Sequence, residues 1–135
     1  LAPHLSHNDG RKLDIALFYT DTNGNRLENT PSSIGYGVFV DPRPGDEDYL
    51  EICERKGYWQ YGAMAKIVPQ DKKKDFQFDL KREKAFIKIL TDDKRLRMLL
   101  IEPHLKARMN LTSSKVRFHG CHAVRHDDHI HIQIR

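Results

Sequence analysis

The sequence predicts an α+β domain built on a small, mainly antiparallel sheet with flanking helices. Two observations carry this reading: short apolar strand-like runs lie at both ends of the chain, and one long stretch in its second half repeats at helical spacing. The resulting order is β, β, α, β, (α), β, β, which segregates helices from strands rather than alternating them. "KLDIALFY" (residues 12–19) is apolar and suits a buried strand, and "DTNGN" (21–25) after it is a strong turn signal. "GYGVFVD" (35–41) reads as a second strand and "PRPGDED" (42–48) as a loop broken by Pro and Gly. Residues 48–67 fit a short helix and a turn at Gly57. From about Leu80 the spacing predicts a helix whose apolar face is Leu80, Ala85, Phe86, Ile87, Ile89 and Leu90. "RMLLIEP" (97–103) is a buried strand ended by Pro103, and "HLKARMN" is one or two helical turns. "KVRF" (115–118) and "HIHIQIR" (129–135) complete the strands.

At 135 residues the chain is read as one domain, 1–135, with a single core. It begins at Leu1, so it is read as a mature form or a piece of a longer chain, an export signal having been removed. Hydrophobic content of 39% and charged content of 31% describe a soluble globular chain rather than a disordered one. No apolar run reaches the ~18 residues a membrane span needs. The net charge of +4 is spread out, and its one tight run, Lys72 to Lys74, reads as a solvated loop. Nucleic-acid binding would want a concentrated basic stripe with interleaved aromatics, so no nucleic-acid partner is expected. Cys53 and Cys121 form either one disulfide or two buried thiols, and neither sits in a C-x-x-C.

Histidine is the outlier. Eight occur, and five lie between His119 and His131. In the terminal strand, alternation puts His129, His131, Gln133 and Arg135 on one face and Ile130, Ile132 and Ile134 on the core face. The two imidazoles then project together, roughly 6–7 Å apart at the backbone, with His126 just upstream in the turn. Near the other end, "HLSHNDGRKLDI" supplies His4, His7 and Asp14. Asp14 interrupts an apolar run, and an ionised carboxylate there is expensive to bury unless it is paired, with Arg11 or Lys12 for instance, or bound to a metal. H-x6-D at one end and H-x2-H-x-H at the other jointly point to metal binding.

His7-x6-Asp14 together with His129-x-His131 resembles the zinc signature of the LAS peptidases, the group of lysostaphin-type endopeptidases, D-Ala-D-Ala peptidases and hedgehog signalling domains. Within it, "HLSHNDGRKLDI", "LLIEPHLKARM" and "HDDHIHI" are most similar to penicillin-insensitive murein endopeptidases, while residues 21–75 are not covered. The resemblance implies a LAS/hedgehog-like fold with His7, Asp14 and His131 as zinc ligands, His129 facing substrate or oxyanion, and His126 as general base. Asp127 or Asp128 would fix an imidazole tautomer or simply cap the strand, and His4 matches an extra upstream histidine. His104, His119 and His122 are read as structural or surface residues. Tyr58, Trp59 and Tyr61 are read as core-edge aromatics, or else as a substrate groove.

The resemblance further implies a zinc peptidase that hydrolyses an amide next to a D-amino acid in peptidoglycan, in the periplasm or cell envelope. Zinc would bring a water's pKa toward ~7 and polarise the scissile carbonyl. A D-Ala-D-Ala carboxypeptidase and a non-catalytic or structural zinc module of the same fold are the alternatives. A structural site would add a fourth His or Cys, for which His129 or His4 is available.

Overall fold

A computed structural model describes residues 9–135. The central sheet has the order β1-β7-β5-β6, in which β1 is Lys12–Ala16, β5 Leu96–Leu100, β6 Val116–Arg117 and β7 His129–Ile134. β7 pairs antiparallel with both neighbours, and β5 pairs parallel with β6. A second sheet, β3-β2-β4, joins Tyr19–Thr20 (β2), Arg26–Leu27 (β3) and Gln77–Phe78 (β4), all antiparallel. The helices are α1 (Tyr49–Arg55), α2 (Ala63–Ile67), α3 (Leu80–Asp92) and α4 (Pro103–Arg108). The fold is therefore a small α+β domain with mixed sheets.

Local chemistry explains most boundaries. Asp48 caps α1 by accepting from the Glu51 N–H, and Asp79 caps α3 by accepting from the Arg82 N–H. The strand expected over 97–103 is shorter, since β5 stops at Leu100, and Pro103 instead opens α4 as its first residue, where its missing N–H is no loss. Asp21 holds the β2–β3 turn by accepting from the Asn23 and Asn25 N–H groups.

Three expectations are corrected. The run 12–19 is not one strand, because the chain leaves the main sheet after Ala16 and joins the small one at Tyr19. The amides released at this break donate elsewhere, Leu17 N–H to Asp128 O at 3.3 Å and Phe18 N–H to Glu83 Oε2 at 2.8 Å. Segment 35–41 belongs to neither sheet, although Val38 and Phe39 are buried. Its polar groups are taken by side chains and a loop: Gly37 N–H donates to Asp128 Oδ2, Val40 N–H to Asp127 O, and Gln70 Nε2 to Gly37 O. On α3, Ile87 is fully buried and Leu80, Phe86 and Leu90 pack on the core, but Ile89 is 69% exposed and Ala85 is also exposed. The helix's inner face is narrower than its apolar residues suggested, and Glu83 occupies part of it.

Ile130 and Ile132 of β7 meet Leu99, Ile101, Leu105, Met109, Val116 and Ile87 in the core, while Ile134, at the strand's end, is 40% exposed. Glu83 is wholly buried there. Burial raises its carboxyl to about 7, against the opposing pull of the Phe18 N–H and Arg82. A raised acid favours the folded state only while protonated. Stability from this group is therefore present in full below about pH 4.5 and is lost as pH rises toward 7. Glu83→Gln, which can still accept from Phe18, is expected to be more stable than wild type at pH 8. Chemical denaturation at pH 4.5 and pH 8 checks this, and an equal difference between the two proteins at both values would refute it.

Candidate metal and acid–base centre

The antiparallel register of β1 on β7 sets Asp14 directly opposite His131 and Ala16 opposite His129. Side chains of such pairs share a face, which is why residues at the two ends of the sequence meet. Asp14 Oδ1 lies 2.7 Å from His131 Nδ1. A carboxylate only accepts, so Nδ1 carries the proton in this contact. His129 Nε2 is 3.9 Å from the same oxygen. The His126 ring lies 4.9 Å from that of His129 and 6.1 Å from that of His131, centre to centre. Asp14, His126, His129 and His131 are thus brought together as the sequence predicted. His4 and His7 lie outside the described residues.

The surroundings drive the two acid–base candidates apart. Burial, together with the neighbouring His129 and His131, pushes the His126 imidazole down to about 3, so its ring is neutral across the physiological range. Burial also works against a charged His129, but the hydrogen bond and charge of Asp128, with Asp14 and Asp127 behind it, outweigh that and raise its pKa. Asp128 Oδ1 accepts from His129 Nδ1–H at 2.5 Å, which leaves Nε2 to face Asp14. Of the two aspartates weighed as tautomer-fixing partners, Asp128 therefore has the role. Its other oxygen accepts from Gly37 N–H at 2.7 Å. Gly37 has φ +90°, and a Cβ there would lie 2.5 Å from Val68 Cγ2, so this clamp requires glycine.

Asp127 is held by other partners. It pairs with Arg125 through two hydrogen bonds of 2.9 and 2.6 Å. Arg125 also reaches Asp41 at 3.0 Å and covers the Phe39 ring at 4.0 Å. His104, 2% exposed, donates Nε2–H to Val40 O at 2.6 Å, so it is structural as expected. His119 and His122 are surface residues, and His122 lies 3.2 Å from the Tyr58 hydroxyl. The aromatics at 58–61 divide, with Tyr61 buried and Trp59 71% exposed. Lys73 is not merely solvated, since it pairs with Asp41.

Sequence reasoning missed Tyr36, whose ring packs edge-on against His129 at 5.2 Å. It also missed Glu102, which is 2% exposed and accepts from His126 N–H at 2.9 Å. The signal for Glu102 was available: it is an acid closing an apolar run, as Asp14 is one inside such a run, and a group of this kind demands a partner if buried.

Asp14 and His131 are a carboxylate and an imidazole, ligand types that zinc takes, and they stand side by side, hydrogen-bonded to each other through Oδ1 and Nδ1–H. They fit a zinc ion as two ligands of a site. Among the described residues no three His, Cys, Asp or Glu side chains form a group able to hold a metal. The third ligand expected, His7, is outside them. Compared with known proteins, the chain matches no family model, no curated protein and no solved structure.

Proposed function

We propose that the protein is a zinc-dependent peptidase of the LAS type, acting on an amide bond next to a D-amino acid in peptidoglycan. The observation that carries this reading is the convergence of His126 and His129 beside the Asp14–His131 pair, brought about by the register of β1 on β7.

Asp14 and His131 would hold zinc with His7, and the bound ion would supply Lewis acidity toward the scissile carbonyl and the attacking water. His126, whose ring lies beside those of His129 and His131, would take a proton from the attacking water and return it to the leaving amine. His129, held by Asp128, donates Nε2–H to the developing oxyanion. Asp128 keeps that proton in place by fixing Nδ1. The Cys53–Cys121 disulfide favours an oxidising compartment and so supports a periplasmic or cell-envelope location. Among the described residues no helix is long and apolar enough to cross a membrane.

The test combines metal analysis with digestion of purified murein. One zinc per chain and release of cross-linked peptides are expected. His126→Ala is expected to keep the metal and lose about 10²–10⁴-fold in turnover. Zinc without peptide release would favour the non-catalytic module of the same fold, and absence of zinc would end both readings.

A further inference from the structure

We infer that residues 49–62 are a brace that aims His126, with Glu102 and Tyr61 as positioning residues. This rests on reading His126 as the base. Glu102 stands between β5 and α4 and holds residue 126 at both of its backbone polar groups. Its Oε1 accepts from His126 N–H at 2.9 Å, and its own N–H donates to His126 O at 3.1 Å. The same Oε1 accepts from the Tyr61 hydroxyl at 2.5 Å. Tyr61 and Glu102 are each 2% exposed.

The segment reaches the loop before His126 at two further points. Cys53 of α1 is bonded to Cys121, and Tyr58 lies against His122 with ring centres 4.6 Å apart. Residues 53–61 are therefore attached to the approach at Cys121 and His122 and, through Glu102, at His126, yet α1 and the 59–62 turn add no strand to either sheet. Arg125 and Asp127 on either side are anchored to each other by their side chains. His126 between them is fixed through its backbone, which leaves its ring to face His129 and His131. A buried carboxylate is a costly way to satisfy one amide. Here it serves two donors at once and ties the ring's backbone to a rigid strand end.

Four variants test this: Glu102→Ala, Glu102→Gln, Tyr61→Phe and, as a core control, Ile87→Val. Melting temperature, kcat and KM on a cross-linked muropeptide, and the His126 ring signals in ¹H–¹⁵N NMR of the zinc-free protein are measured. Glu102→Ala is expected to lower kcat about 10²-fold with KM unchanged, the scale of a small misplacement of a reacting group. Glu102→Gln, which keeps an acceptor oxygen, is expected to restore most of that loss. Tyr61→Phe should fall between them, and Ile87→Val should lower the melting temperature alone. His126 ring signals should move or broaden in the Ala and Phe variants and stay in place in the Gln variant. Losses of kcat that merely follow melting temperature, or unchanged ring signals in both Ala and Phe variants, would overturn the brace. If Glu102→Ala does not fold, Tyr61→Phe decides alone. If wild type cleaves no muropeptide, the peptidase reading fails, and the ring signals by themselves decide whether His126 is aimed this way.

Discussion

Asp14→Asn is expected to leave the protein folded and nearly free of zinc, and to abolish murein hydrolysis with it. The substitution keeps the volume and one oxygen but removes the charge. A neutral amide is a far poorer partner for a divalent cation than a carboxylate, and zinc sites recruit Asp or Glu as the anion. The fold should survive because Asp14 contributes to the sheet through its backbone pairing with His131, which the change does not touch. The side chain's hydrogen bond to His131 Nδ1 can be kept by the amide oxygen. Metal analysis after gel filtration, set beside circular dichroism, reads both halves. Full zinc content in a folded Asp14→Asn protein would show that Asp14 is a structural partner of His131 and not a ligand. Zinc loss with retained hydrolysis would separate the metal from the chemistry and sink the peptidase mechanism.

The parts of this centre that were legible in the sequence are those fixed by strand periodicity. Alternation alone placed His129 and His131 on one face and Ile130 on the other, and an acid inside an apolar run singled out Asp14. Their convergence needed the register of β1 on β7, which no local pattern encodes. Segment 35–41 was misread for a physical reason. Burial of Val38 and Phe39 makes it look like a strand, but its amides go to Asp128, Asp127 and Gln70, and such partners are set only by tertiary folding. The long first strand was misread likewise, because periodicity does not announce that Phe18 N–H will be taken by Glu83 from a helix 65 residues away. Ile89 shows the opposite error, an apolar residue at helical spacing that faces solvent. Tyr61 could be seen as aromatic and not as the third member of a chain through Glu102 to His126.

Replacing both cysteines, Cys53→Ala with Cys121→Ala, is expected to cost about 4 kcal/mol of stability, the chain-entropy value for closing a loop of 68 residues. Against the roughly 5–15 kcal/mol that holds a domain of this kind together, this is a large share. It should lower the melting temperature by roughly 10–15 °C. Cys53 is fully buried, so alanine leaves a small apolar void rather than a stranded polar group. Position makes the consequence for the site unequal. Asp14 and His131 stand on paired strands of the central sheet, so zinc content should be unchanged below the new melting point. The loop from Cys121 to Arg125 loses its covalent attachment to α1 and keeps only the Tyr58–His122 contact to the same segment, so kcat should fall before metal is lost. Denaturation and metal analysis on the same preparation separate the two effects. A stability loss below about 1 kcal/mol would mean that the unfolded chain is already compact around these residues. Simultaneous loss of zinc would mean that the disulfide supports the sheet itself, and not only the approach to His126.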